Sequence, residues 1–270
     1  MSDPVNSTVT SKDRTRIAVD RYGDGPPLVL IGGAFQYRAF DPPTVELADL
    51  LSADFAVFHY DRRGRGDSGD TSPYEPSREI EDLAAVIERA GGSCVVFGNS
   101  SGGALALDAA AYLPITKLAL YEVPFIVDDS RPPVPGDYLA RLREMLGENR
   151  RGDMVELFMV TVIGMPAEMV TGMRQSPMWA GFEAVAHTLL YDGAFMEGTQ
   201  DGTPLPTGRW SNVDEPVLIV DGADSQPWMH SASEALAGHL PHSQRLTLAG
   251  QSHAVAPEIL APALREFLLG

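Results

Sequence analysis

The chain has 270 residues, 44% of them hydrophobic, enough for a sizeable core in one large α/β domain or in a domain with an insertion. A net charge of −17 argues against nucleic acid and anionic membrane surfaces as partners, because both need clustered Lys and Arg. The single cysteine, Cys94, excludes an intrachain disulfide. No run reaches 18 apolar residues and no basic, apolar leader opens the chain, so the expected location is the cytoplasm.

The first elements read as strands. Residues 7–22 form a hairpin that turns at Lys12-Asp13. Leu28-Val29-Leu30-Ile31 is a continuous apolar run, the mark of a strand covered on both faces, and it ends in Gly32-Gly33-Ala34-Phe35. A helix follows to Leu51, with Pro42-Pro43 near its start, and residues 55–60 form the next strand.

The loop Asp61-Arg62-Arg63-Gly64-Arg65-Gly66-Asp67-Ser68-Gly69 is rich in glycine. It runs into a second, proline-containing loop rather than a helix and holds no Gly-Lys-Ser/Thr, so a nucleotide role is set aside. Ser77 then caps a helix with Glu79 and Glu81 in its first turn. Ile80, Leu83, Ala84 and Ile87 give that helix a buried face, and Gly91-Gly92 end it.

Cys94-Val95-Val96-Phe97 reads as a buried strand that leads into Gly98-Asn99-Ser100-Ser101-Gly102 and a helix of small residues, 104–111. A serine at such a strand-to-helix corner sits on a tight turn with its hydroxyl pushed outward. Residues 118–121 form another strand. Alternating strands and helices imply right-handed crossovers and a mostly parallel, doubly wound sheet.

The alternation then stops. Residues 128–209 contain helical stretches near 137–146, 153–163, 167–175 and 179–191 and no clear strand. This segment reads as an inserted helical cap, with residues 1–127 and 210–270 as the core. Eight methionines fall in it (Met145, Met154, Met159, Met165, Met169, Met173, Met178 and Met196), and such adaptable side chains suit packing or an apolar pocket. Strand 216–220, helix 231–239, strand 244–248 and helix 257–269 complete the chain.

Serine needs a base within hydrogen-bond reach, and the base needs a carboxylate to fix its tautomer. In an open parallel sheet the useful positions lie just past the strand ends. Ser100, Asp224 and His253 meet that condition, in that order. Glu122, directly after the strand ending at Tyr121, is the rival acid. His59 is expected in a structural hydrogen bond, His187 as a satisfied polar residue of the cap, and His230, His239 and His242 at the surface. The histidines are scattered and no metal cluster is expected.

Together these motifs resemble the α/β-hydrolase superfamily over nearly the whole chain. Gly98-Asn99-Ser100-Ser101-Gly102 resembles its nucleophile elbow and Gly222-Ala223-Asp224 its acid-bearing turn. His253 resembles its late histidine, and Asp61-Arg62-Arg63-Gly64-Arg65-Gly66-Asp67-Ser68 its Asp-x-Arg-Gly-x-Gly-x-Ser loop. The resemblance implies a Ser100, His253, Asp224 triad and an oxyanion hole from the backbone N–H groups of Ala34 and Ser101. It implies no cofactor and no metal. Two positions depart from the family pattern: Gly32-Gly33 replaces His-Gly, and a second serine, Ser101, follows the first. The expected activity is hydrolysis of an apolar carboxylic ester or lactone. Thioester hydrolysis, carbon–carbon bond cleavage and cofactor-independent oxygenase or cyclase chemistry are the alternatives the scaffold implies.

Overall fold

The computed structural model describes residues 4–270. Its frame is a sheet of eight strands: β1 (Val5–Thr10), β2 (Arg16–Tyr22), β3 (Pro27–Ile31), β4 (Ala56–Tyr60), β5 (Cys94–Asn99), β6 (Ile115–Tyr121), β7 (Val217–Gly222) and β8 (Ser243–Leu248). Their spatial order is β1-β2-β4-β3-β5-β6-β7-β8. The first hairpin is antiparallel, β2 joins β4 antiparallel, and all remaining pairs are parallel. Register is set by apolar pairs such as Leu28 with Val95 and Leu118 with Val217. The parallel strands β3 to β7 are buried almost throughout, as their unbroken Val/Leu/Ile runs require.

Helices cover both faces. On one side lie α1 (Pro42–Leu51) and, near the C-terminus, Pro257–Leu269, packed over Leu28, Leu30, Val57, Phe97 and Val220. On the other lie α2 (Pro76–Ala90), α3 (Ser101–Ala110) and, after β7, Pro227–His239, over Val29, Val96, Leu118 and Ile219. Proline stands at the first position of several of these helices, where its missing N–H costs nothing. This explains two differences from the sequence reading. The second helix begins at Pro76 with Glu75 before it rather than with Ser77 as cap, and the helix after β7 starts at Pro227, a turn before residue 231.

The inward face of α2 also differs. Glu79 and Asp82 turn inward with Leu83, Val86 and Ile87, because each carboxylate meets a buried arginine from the loop after β4. Arg62, Arg63 and Arg65 are all at most 1% exposed. Their guanidinium groups are consumed by Glu79, Asp82, Asp13 and Asp192, so this glycine-rich loop has no cations to offer a phosphate.

Between β6 and β7 the described residues contain no strand. They form α4 (Tyr138–Gly147), α5 (Arg151–Phe158), a π-helical turn (Met159–Ile163), α6 (Ala167–Met173), α7 (Trp179–Val185), a 3₁₀ turn (Ala186–Thr188) and α8 (Leu189–Phe195). This makes Pro227–His239 α9 and Pro257–Leu269 α10. The inserted helices share a core of their own built on Leu142, Met154, Val155, Val170, Trp179 and Leu189, which Phe35 from the β3 loop joins. Among the methionines, Met154 packs inside this core, Met159 and Met196 line cavities, and Met169 and Met178 are exposed.

Candidate active site

The site lies at the carboxyl ends of β3, β5, β6 and β7. Ser100 takes a positive φ of 54° with ψ −125°, a conformation that serine adopts only when its surroundings impose it. Two close approaches impose it. A Cβ on Gly98 would stand 2.7 Å from the Gly103 Cα, and one on Gly102 would stand 2.4 Å from the Ile31 carbonyl oxygen. Only glycine fits where strand and helix nearly touch. The Ser100 N–H donates to the Tyr121 carbonyl at 2.9 Å, which ties the corner to β6.

The loop after β3 presses on this corner from the other side. A Cβ on Gly33 would meet the Ser100 Cβ at 2.9 Å. The Gln36 amide oxygen accepts from the Gly33 N–H and from Asn99 Nδ2, and Gln36 Nε2 donates to Asp41. Ala34 and Ser101, the expected oxyanion donors, both border the cavity that Ser100 faces. As the first residue of α3, Ser101 has an N–H without an intrahelical acceptor.

His253 sits in the loop after β8, held to the end of β6 by the Tyr121 hydroxyl, which donates to the Ser252 carbonyl. Its Nδ1 lies 2.8 Å from Glu122 Oε2. Glu122 is 1% exposed and holds a positive φ of 44° directly after β6. Its other oxygen accepts from the Gly222 N–H at 2.9 Å and from the Ser225 hydroxyl.

This corrects the expected pairing of His253 with Asp224. Asp224 is exposed, and its carboxylate makes no hydrogen bond or ion pair among the described residues. The reason is positional. Glu122 leaves the strand next to the serine strand and is long enough to pass beneath the histidine, whereas Asp224 lies beyond the end of β7. The turn after β7 supplies donors to Glu122 rather than a partner to His253. Ser100 and His253 line the same cavities without a hydrogen bond between them. Such bonds are often long before substrate binds.

Two apolar cavities meet at these residues. One, of about 310 Å³, is walled by Tyr138, Phe158, Val162, Leu189, Met196, Trp228 and Met229. The other, of about 420 Å³, is walled by Phe35, Leu47, Phe97, Met159, Val255 and Leu260. Ala34, Ser100, Phe158, Ile163 and His253 border both.

The remaining histidines divide. His187 is satisfied inside the insertion, beside Arg151 and Asp70. His230 is not a free surface residue: its Nδ1 lies 2.9 Å from the buried Asp221. His59 is fully buried, and its Nδ1 lacks the hydrogen bond expected of it. Burial holds its pKa down at about 4, against the opposing pull of Asp61 and Asp20. Cys94 is a packed core thiol whose pKa burial pushes up to about 12.

Asp192, on α8, escaped the sequence reading. It is buried at the cavity wall, where Ser101 Oγ donates to it at 2.8 Å and Arg62 and Arg65 flank it. Burial alone would raise its pKa, but the two guanidinium groups hold the carboxyl below the usual range. Nothing in the local pattern of residues 179–191 distinguishes the position that follows them.

Among curated proteins, the pimeloyl-[acyl-carrier protein] methyl ester esterase of Xanthomonas oryzae pv. oryzae is similar at 28% identity over 243 residues, 87% of this chain and 91% of that protein. Among solved structures, an alpha/beta hydrolase from Sphaerobacter thermophilus superposes with a TM-score of 0.88 at 53% identity, over 97% of this chain and 99% of that one. An esterase from Thermogutta terrifontis shares the fold, with a TM-score of 0.70 at 23% identity over 99% and 98% of the two chains. Residues 28–263 match the model of the alpha/beta hydrolase family, and the chain belongs to that family of enzymes.

Proposed function

We propose that the protein is a serine hydrolase for a neutral carboxylic ester with apolar groups on both sides of the scissile bond. The observation that carries this reading is the His253–Glu122 pair beside Ser100 on a strained strand-to-helix turn.

Ser100 Oγ attacks the carbonyl carbon and its proton passes to His253 Nε2. The carbonyl π electrons move to oxygen, which the Ala34 and Ser101 N–H groups receive. Such a donor contributes about 3–4 kcal/mol to the transition state. The bond to the alcohol then breaks, and His253 returns the proton to the departing oxygen. Water repeats the sequence on the acyl-enzyme with His253 again as base. Glu122 fixes the imidazole tautomer and stabilises the imidazolium.

Two cavities that meet at Ser100 support an ester with an acyl side and an alcohol side. Apolar walls, whose acidic and basic side chains among the described residues are carboxylates and His253 and include no lysine or arginine, support a neutral substrate. The similar esterase of Xanthomonas is named for a substrate on an acyl-carrier protein. A net charge of −17 opposes any acidic protein carrier, so a free small ester is the better fit here.

Ser100→Ala should reduce turnover of p-nitrophenyl esters of four to eight carbons by at least about 10³-fold while leaving the fold intact by circular dichroism. Retained turnover in that variant would instead favour non-covalent chemistry on the same scaffold.

A further inference from the structure

Two features of the sequence have no part in the mechanism above: the buried arginine loop after β4 and the side chain of Ser101, the second serine of the elbow. They meet in one cluster. Arg65 Nη1 donates to the Gly33 carbonyl, and its Nη2 donates to Asp192 at 2.8 and 2.9 Å. Arg62 Nη1 donates to the Gly32 carbonyl at 3.3 Å and to Asp192 at 2.8 Å, while its other nitrogens grip Glu79. Asp192 accepts from Ser101 Oγ.

The Gly33 carbonyl and the Ala34 N–H belong to one planar peptide unit. In a trans peptide these two bonds point in opposite directions. A guanidinium fixed behind the Gly33 oxygen therefore aims the Ala34 N–H the other way, and Ala34 borders the cavity that Ser100 faces. The positive charge at that oxygen also polarises the peptide, which strengthens its N–H as a donor. Asp192 carries the same restraint across to Ser101, whose own N–H is the other donor. Gly32-Gly33 has no side chain of its own: Gln36 holds the Gly33 N–H through its amide oxygen and reaches the Gly33 carbonyl with its backbone N–H at 3.2 Å, and Arg65 is the charged donor on that carbonyl, while Ser101 has only the hydroxyl that Asp192 holds.

We infer that Arg65 and Asp192, braced by Arg62, are positioning residues that set the aim of both oxyanion donors, Ala34 N–H through the Gly33 carbonyl and Ser101 N–H through the Ser101 hydroxyl. The inference rests on the serine hydrolase reading. It places one end of the aiming device on the inserted helices, because Asp192 belongs to α8. Seating of that helix is thereby coupled to competence of the oxyanion hole.

The test uses the full-length protein, a p-nitrophenyl ester and a reversible trifluoromethyl ketone of matching chain length. In the ketone adduct Ser100 Oγ bonds to the carbonyl carbon, the seryl proton goes to His253, and the new oxyanion occupies the hole. Arg65→Lys keeps the charge but cannot span the Gly33 carbonyl and Asp192 together. It should lower kcat about 10- to 100-fold, keep KM within about 3-fold, and raise the ketone inhibition constant by the same factor as the loss in kcat. Ser101→Ala should do the same to a smaller degree, at least about 5-fold. A cluster that only holds the fold would lower the melting temperature without a matched loss in kcat and ketone affinity. That result, or unchanged kcat and ketone affinity, overturns the inference. Should Arg65→Lys fail to fold, Ser101→Ala and Asp192→Asn decide it by the same matched loss. If the native protein itself forms no ketone adduct and Ser100→Ala still turns over, the serine reading fails. If the native adduct forms and the variants form it equally well, only this inference fails.

Discussion

At the residue scale, Glu122 shows how a carboxylate becomes fit to orient a histidine. It is buried, it accepts from a backbone N–H and a hydroxyl on one oxygen, and it meets the imidazole with the other. Removing its charge while keeping its shape would leave His253 free to adopt the wrong tautomer. Glu122→Gln should therefore lower kcat on p-nitrophenyl butyrate at least about 10²-fold. Asp224→Asn removes an exposed charge that touches neither partner and should change kcat less than about 3-fold. Steady-state kinetics of the two variants side by side checks the assignment, and the opposite order would return the role to Asp224. The sequence already carries a signal for Glu122: it is a lone carboxylate between Tyr121 and the apolar Val123-Pro124-Phe125, directly after a strand. What the sequence does not carry is reach. Whether an acid after one strand or the next lies beneath the histidine depends on strand order and side-chain length in three dimensions.

At the element scale, the parallel strands were legible because full burial writes itself as unbroken apolar runs, and the strand-to-helix corner because only glycine tolerates its close approaches. The inward face of α2 was not legible. The buried face expected on Ile80, Leu83, Ala84 and Ile87 left out Glu79 and Asp82, because the arginines they meet lie in the loop after β4 and leave no mark on the helix's own periodicity. The same holds for α8, where Asp192 bridges 127 and 130 residues of chain to its arginines. β4 carries a cost of another kind in His59, which is buried with one ring nitrogen unpartnered. Its pKa is about 4 in the fold against 6.5 outside it. Above pH 6.5 the ring is neutral in both states and costs nothing by protonation. As pH falls from 6.5 toward 4 the unfolded chain takes up the proton and the folded protein does not, so stability declines, by about 3 kcal/mol in all. Urea unfolding at pH 7, 5.5 and 4.5 should show this decline, and His59→Gln should make it shallower. An equal decline in the variant would remove His59 from the account.

At the scale of the whole molecule, the excess of acidic groups bears on which substrates arrive and which are excluded. Glu122, Asp192 and Asp224 all border the cavity that Ser100 faces, within a chain of net charge −17. An ester bearing a free carboxylate should meet repulsion that salt relieves. Its kcat/KM should rise several-fold between 10 and 300 mM NaCl, while that of a neutral ester of equal length stays within about 2-fold. Equal salt responses would show that the charge acts on solubility alone. Among the described residues no helix is long and apolar enough to cross a membrane.

The proposed mechanism requires Ser100 to form a covalent bond with the acyl group it transfers to water. Treatment of the native protein with a fluorophosphonate, followed by peptide mass spectrometry, tests it most directly. The prediction is one phosphonyl group per chain, located on Ser100, with loss of esterase activity in step with labelling. An unlabelled Ser100 in a protein that hydrolyses esters at full rate would contradict it.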